Sequence, residues 1–114
     1  MGPPVYELKA GFFRTLGHPA RIRILEVLRE GSSTVGDLAE AVGVSGSTLS
    51  QHLAALRNAN VITSERDGSF VRYEVVDPRL FHLMECARQI LTSTLHDSQE
   101  VLGDLERMRF GTSE

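Results

Sequence analysis

The stretch that decides the fold is VGDLAEAVGVSGSTLSQHLAALRN, residues 35–58. Apolar residues recur at helical spacing in both of its halves, as Val35, Leu38, Ala39 and Val42 and then as Leu49, Leu53 and Leu56. Gly43 ends the first pattern, and Ser45 is a residue type that caps a helix N-terminus. Two short helices joined by a tight, glycine-containing turn form a helix-turn-helix, which we predict over residues 34–60.

Two more helices are predicted upstream of this stretch. The first covers residues 5–16, and its apolar residues are Val5, Leu8, Phe12, Phe13 and Leu16. The second begins at Pro19, which suits the first turn of a helix, and ends at Gly31. Its inward-facing residues are Ile22, Ile24, Leu25 and Leu28. A polar turn follows, and either Ser33 or Thr34 caps the third helix.

Residues 61–76 are predicted to form a β-hairpin. Two runs of strand-forming residues, 61–66 and 70–76, flank the sequence Asp67-Gly68-Ser69. Because Asp-Gly is a strong signal for a tight turn, we expect two antiparallel strands here. This hairpin would form the wing of a winged helix.

A last helix is predicted from residue 78, after Asp77. Its apolar stripe consists of Leu80, Leu83, Met84, Ala87, Ile90, Leu91 and Leu95. The stripe resumes after His96 at Val101, Leu102, Leu105 and Met108. The helix therefore either continues or breaks near Asp97 and Ser98, and residues 97–114 are a C-terminal extension of undetermined structure.

The order of these elements predicts the fold class. It is mainly α with a small β-hairpin, arranged α-α-α-α-β-β-α as a winged helix-turn-helix. The 114 residues suffice for one domain with one modest core, so we predict a single domain over residues 1–114.

Composition restricts the location and the class of function. No apolar run is long enough to span a bilayer, and the N-terminus lacks a signal-peptide pattern. A single cysteine, Cys86, fits a reducing compartment, so we expect a cytoplasmic protein with no membrane partner. The sequence contains no nucleophile elbow, phosphate loop or paired catalytic carboxylates, and an enzyme is therefore not expected.

The start of the fourth helix has the layout of a DNA-reading helix. Such a helix presents short polar or amide side chains near its N-terminus, while its other face packs on the domain. The candidates here are Ser45, Ser47, Thr48, Ser50, Gln51 and His52. Gln51 can pair with adenine, and hydroxyls at a helix N-terminus suit phosphates. The alternative is a cap followed by a solvated face, but the position between a tight turn and a hairpin favours binding to double-stranded DNA.

Three arginines are further candidates for DNA contact. Arg66 and Arg72 flank the hairpin turn, where a wing can place them along the phosphate backbone or in the minor groove. The alternative is that both are solvated charges near Glu65 and Glu74. Arg57, near the end of the fourth helix, suits either a phosphate contact or an interaction with the helix terminus.

The net charge of −3 argues mildly against nucleic acid, because phosphate contacts require clustered cations. The excess acid is C-terminal, since residues 77–114 carry four basic and seven acidic groups, whereas residues 45–76 carry three of each. DNA binding should therefore depend on a few arginines and on dimerisation, with strong sensitivity to salt. A winged-helix module that binds protein rather than DNA is the alternative.

Four stretches together resemble the ArsR/SmtB family of winged-helix regulators. They are LGHPARIRIL at 16–25, VGDLAEAVGV at 35–44, STLSQHLAAL at 47–56 and GSFVRY at 68–73. The resemblance implies a sequence-specific, DNA-binding transcription regulator, more often a repressor than an activator, that responds to a metal ion or another signal. It also implies a homodimer joined through residues 5–16 and 78–95, whose apolar stripes are too long for so small a core to bury. His18 and His52 lie inside these stretches and are assigned to turn geometry and DNA contact.

The resemblance does not extend to the metal sites typical of this family. One such site uses two cysteines in the third helix, where this sequence has Thr34 and Gly36. The other spans the last helices of both subunits and requires an Asp, two His and a Glu. Asp77 matches, but the remaining positions hold Arg79, Ile90 and Ser93.

Four other residues are candidate metal ligands: His82, Cys86, His96 and Glu100. His82 and Cys86 lie four residues apart on one helical face and suit nickel, cobalt or zinc, with His96 or Glu100 completing the shell, within or across a dimer. The interpretation we favour is that Cys86 packs as a small apolar residue and that the histidines are solvated. An intersubunit disulfide is a third interpretation, although nothing indicates a stabilised thiolate.

Overall fold

The structure, a computed structural model, describes residues 2–110. Its elements are α1 Val5–Leu16, α2 Pro19–Leu28, β1 Ser33–Thr34, α3 Val35–Val42, α4 Gly46–Asn58, β2 Ile62–Asp67, β3 Phe70–Val75 and α5 Arg79–Phe110. The chain divides into two compact units, one ending at Pro78 and the other beginning at Arg79. Residues 111–114, which end the predicted extension, lie outside the described part, as does the side chain of Met108.

The helix-turn-helix forms as predicted, because its caps are local. Thr34 caps α3, since its Oγ1 accepts a hydrogen bond from the Asp37 amide at 3.2 Å. Gly43 ends α3 in the left-handed region at φ +76°, which favours glycine. Ser45 Oγ accepts from the Thr48 amide at 3.3 Å and so caps α4. The turn between the two helices is thereby fixed at both ends.

The predicted hairpin forms from β2 and β3, and a third strand that was not predicted extends it to a three-stranded sheet. The strand order is β1-β3-β2, and β1 pairs antiparallel with β3. A strand of two residues is too short to show the alternation of apolar and polar residues. It could therefore not be predicted from the sequence, and it is recognised by its pairing with β3. In the hairpin, Asp67 pairs with Phe70, which leaves Gly68 and Ser69 as the central turn residues. The two-residue turn is therefore Gly-Ser rather than Asp-Gly, and Gly68 has the positive φ of +62° that such a turn needs.

The core of the first unit is built mainly from helix residues. Its buried apolar side chains are Leu16, Ile24, Leu25, Leu28, Leu38, Leu49, Leu53, Leu56, Val61 and Ile62. Full burial of one such side chain contributes about 1.5–3 kcal/mol. Helix α4 packs against α1, α2 and β2, so its apolar face is enclosed and its polar edge remains outside.

Helix α5 is continuous over 32 residues and does not break near Asp97. At a rise of 1.5 Å per residue it is about 48 Å long. Several of its large apolar side chains are exposed: Ile90, Leu91, Leu95, Val101, Leu102 and Leu105. Among residues 2–110, no helix combines the length and the apolar character needed to cross a membrane.

Candidate nucleic-acid interface

The reading edge, which we define as Ser47, Ser50 and Gln51, lies on the solvent side of α4, and all three residues are exposed. Directly opposite, Leu49 and Leu56 are fully buried. The apolar contacts thus hold the helix while the amide and hydroxyl groups face outward. This is the arrangement that a helix needs in order to insert an edge into the major groove.

The N-terminus of α4 supplies a second feature suited to DNA. Ser45 Oγ accepts from the Thr48 amide and donates to Thr48 Oγ1 at 2.9 Å. Both predicted contact residues are therefore engaged in capping, although Ser45 is exposed. The first backbone N–H groups of the helix have no intrahelical partners, and a phosphate can accept hydrogen bonds from them.

His52 does not lie on the reading edge, and the structure contradicts the prediction that it contacts DNA. Its side chain is buried, with 8% of its surface exposed. Arg21 Nε donates a hydrogen bond to His52 Nδ1 at 3.2 Å, and the His18 ring lies 4.3 Å away between centroids. Burial lowers the pKa of His52, and the neighbouring His18 and Arg21 lower it further.

The reason for this error can be found in the sequence. Leu49, His52, Leu53 and Leu56 are spaced i, i+3, i+4 and i+7, which is one face of a helix. His52 therefore belongs to the buried face. The polar imidazole suggested a contact with DNA, but the position of His52 among the leucines indicated that its side chain lies in the core.

The two arginines of the wing, residues 62–75, have different environments. The strand register pairs Arg66 with Val71 and Glu65 with Arg72, which directs the two arginine side chains to opposite faces of the hairpin. Arg66 is exposed. Arg72 instead donates from Nε to Ser32 Oγ and from Nη2 to the Ser32 carbonyl, both at 3.1 Å. Arg72 thus fastens the wing to the segment before β1.

A shallow cavity of about 270 Å³ lies on the wing. Its lining residues are Ser32, Thr63, Glu65, Arg66, Asp67, Arg72 and Glu74. Because the acidic residues Glu65, Asp67 and Glu74 line it beside the hydrogen-bonded Arg72, this cavity does not suit a phosphate. Arg57 lies exposed in the last turn of α4, where both of its predicted roles remain compatible with its position.

The four candidate metal ligands form two separate pairs on α5. His82 Nε2 lies 3.7 Å from Cys86 Sγ, and His96 Nε2 lies 3.0 Å from Glu100 Oε1. The ten residues from Cys86 to His96 span about 15 Å of helix. Within the described part of the chain, no three His, Cys, Asp or Glu side chains come together as potential metal ligands. Within one chain the four candidates therefore remain two separate pairs, and a site that joins them across a dimer stays a prediction.

The enclosed helix α4, its exposed reading edge and the adjacent hairpin define a winged helix-turn-helix protein of the DNA-binding class. Comparison with known proteins agrees with this class. Residues 18–64 match the profile described as bacterial regulatory protein, arsR family. The uncharacterized HTH-type transcriptional regulator Rv0081 of Mycobacterium tuberculosis is 48% identical over 103 residues, which cover 90% of each chain. The chain belongs to the arsR family and is a transcription regulator.

Solved structures and a shorter relative support the same assignment. The crystal structure of M. tuberculosis Rv0081 has a TM-score of 0.78 and 46% identity, covering 85% of this chain and 98% of that chain. The crystal structure of NolR from Sinorhizobium fredii has a TM-score of 0.70 and 32% identity, covering 79% and 96%. The transcriptional repressor SdpR of Bacillus subtilis is 38% identical over 63 residues, 55% of this chain and 70% of that protein.

Proposed function

We propose that this chain is a homodimeric repressor that binds double-stranded operator DNA through α4. The observation that carries the proposal is the contrast across this helix between the buried Leu49 and Leu56 and the exposed reading edge. A regulator of this kind acts by occupying DNA and not by catalysis. It would do so in the cytoplasm, where a bacterial operator lies.

The reading edge suggests which bases and phosphates the helix meets. The Gln51 amide both donates and accepts, so it can pair with the N6 and N7 atoms of adenine in the major groove. The hydroxyls of Ser47 and Ser50 are short enough to allow close approach and can bind base edges or phosphates. Arg57 and Arg66 are exposed cations for the flanking phosphate backbone. Arg72 is assigned instead to holding the wing in place.

Homodimerisation is proposed from apolar surfaces that this chain leaves exposed. On α1 they are formed by Val5, Tyr6, Leu8, Phe12 and Phe13. On α5 they are formed by Ile90, Leu91, Leu95, Val101, Leu102 and Leu105. Apolar surface of this extent marks an interaction site, and a second copy can cover it through a two-fold interface. Two reading helices would then meet half-sites about 34 Å apart on a palindromic operator.

The test is a fluorescence-anisotropy titration of the full chain against DNA from the region upstream of its own gene, with a scrambled duplex as competitor. We expect preference for the upstream DNA and a steep decrease in affinity as salt increases. No preference over the scrambled duplex, or a salt dependence no steeper than about one released counterion, would contradict DNA recognition. That outcome would favour the alternative, a winged-helix module that binds another protein.

A further inference from the structure

A partly buried polar network, centred on the buried His52, joins the reading helix to the two helices before it. Arg21 on α2 donates from Nε to His52 Nδ1 on α4 at 3.2 Å. The same guanidinium donates from Nη1 to the Thr15 carbonyl in the last turn of α1 at 3.1 Å. Arg21 thus connects three helices. None of these groups belongs to the reading edge, so the proposed DNA contacts do not account for the network.

His18 completes the network from the turn between α1 and α2. Its Nδ1 accepts a hydrogen bond from the Ala20 amide at 3.1 Å and caps α2. Its ring lies 4.3 Å from the His52 ring, tilted by 48°. The groups that act on the charge of His52 are therefore His18 and Arg21, and both oppose a positive charge. Helix α1 contributes the Thr15 carbonyl through Arg21. Strand β2 also packs on α4, and its buried residue is the apolar Ile62.

The hydrogen bond to Arg21 defines the protonation state of His52. A guanidinium can only donate, so Nδ1 must carry a lone pair and the ring must be neutral, with its proton on Nε2. Protonation would turn Nδ1 into a donor facing another donor. It would also place a buried positive charge beside Arg21, and such a charge is costly when it is unpaired.

We propose that Arg21, His52 and His18 are positioning residues that seat the reading helix, and that specific DNA binding therefore requires a neutral His52. Because interiors are close-packed, expulsion of a charged His52 from its position shifts the helix that carries it. Gln51 is its neighbour in the chain, and the reading edge would move with it. This inference rests on the proposed function of α4.

The sign of the pH effect follows from the environment of the ring. Burial, His18 and Arg21 lower the pKa of His52 from 6.5. The network is therefore intact above pH 6.5 and is lost as the pH falls through the lowered value. The unfolded chain binds a proton at His52 more readily than the folded chain does, so the free energy of unfolding also decreases in this range.

A simple charge effect would have the opposite sign. Protonation of exposed histidines adds positive charge, and added positive charge strengthens phosphate binding. Loss of specific affinity on acidification therefore distinguishes the network from general electrostatics.

The experiment measures the affinity of the full chain for its upstream DNA and for a scrambled duplex between pH 7.5 and pH 5.5. Circular dichroism at each pH reports on folding. We expect specific affinity to fall, approaching about tenfold per pH unit below the pKa of His52, since only the neutral fraction is competent. Affinity for the scrambled duplex should stay level or rise.

The informative variant is His52→Asn, whose Oδ1 can accept from Arg21 in place of Nδ1 and does not titrate. It should bind as the wild type does at pH 7.5 and should lose the decrease in specific affinity at lower pH. His96→Asn is the matched control, because His96 is exposed on α5, and it should keep the wild-type profile. Equal pH profiles for the wild type and His52→Asn, or rising specific affinity on acidification, would overturn the proposal.

A second measurement keeps the test decisive if His52→Asn fails to fold. Nuclear magnetic resonance of the imidazole carbons in the DNA-free chain should give a His52 pKa below 6.5, and a value at or above 6.5 would refute the network. Specific binding that is absent even at pH 7.5 would instead refute the proposed function of α4. The two failures are therefore distinguishable.

Discussion

Helices α4 and α5 both carry leucines at helical spacing, yet the leucines compared here differ in their exposure to solvent. Leu49 on α4 is fully buried, whereas Leu95 on α5 is 62% exposed. The apolar face of α4 is enclosed by its own chain, so its other edge is available to a ligand. On α5 the apolar residues from Ile90 to Leu105 are exposed, and we propose above that a second copy covers them. The same leucine spacing can therefore mark a face buried in the chain's own core or a face that binds a second copy. The predictions below test which of the two applies to each helix.

The largest effect is expected from Leu49→Ala. Removing a fully buried leucine side chain leaves a cavity and should lower the free energy of unfolding by about 2–5 kcal/mol. Urea unfolding followed by circular dichroism measures this change. Leu95→Ala is the matched control and should cost less under conditions where the chain is monomeric. Equal costs for the two variants would mean that burial does not distinguish the helices.

The next effect concerns the exposed face of α5. Leu95→Glu introduces a charge into the proposed dimer interface and should shift the chain to monomer at micromolar concentration, because burial of an unpaired charge is costly. Sedimentation velocity measures the oligomeric state. Gln89→Glu introduces the same residue on the opposite side of the helix and should leave the dimer intact. A Leu95→Glu variant that remains dimeric would exclude this face from the interface.

A smaller effect is expected at the reading edge. Gln51→Ala should weaken specific binding by about 1–3 kcal/mol and relax the preference at a single base pair. Anisotropy titrations against operators substituted at each position would locate that base pair. Gln99→Ala, an exposed glutamine on α5, serves as the control and should bind as the wild type does. Uniform weakening on every sequence would assign Gln51 to a phosphate contact.

The smallest effect is expected from metal ions. Since the two pairs on α5 do not form one site, stoichiometric zinc, nickel or cobalt should leave operator affinity within about twofold, a difference of roughly 0.4 kcal/mol. Calorimetry with each metal, repeated on His82→Ala and Cys86→Ala, measures binding directly. Tight binding that both substitutions abolish would reveal a site completed by the partner subunit.

The features that sequence predicted well depend on neighbouring residues. The caps at Thr34 and Ser45 and the glycine that ends α3 each act within three or four residues, so the helix-turn-helix was predictable. The third strand was not predictable, because Ser33 finds its partner Tyr73 only in the folded chain.

Side-chain partners separated in sequence were likewise missed. Arg72 was assigned to DNA on its charge and its position beside the hairpin turn, and its bonds to Ser32 connect residues 40 positions apart. Arg21 and His52 are 31 positions apart, so their hydrogen bond could not be predicted from the sequence. The helical spacing predicts only that His52 lies on the leucine face of α4. The candidate metal ligands of α5 likewise form two separate pairs within one chain. Sequence spacing predicts pairs on a helix, but it does not bring two distant pairs together.

The bonds between Arg72 and Ser32 have a consequence for the kinetics of DNA recognition. A hairpin attached only through its two ends would sample many orientations in the free protein and would lose conformational entropy when DNA orders it. This wing is already joined to a third strand and held by two side-chain hydrogen bonds. It is therefore preorganised, and little ordering cost remains at the moment of binding. The encounter with DNA is then limited by orientation and not by folding of the wing.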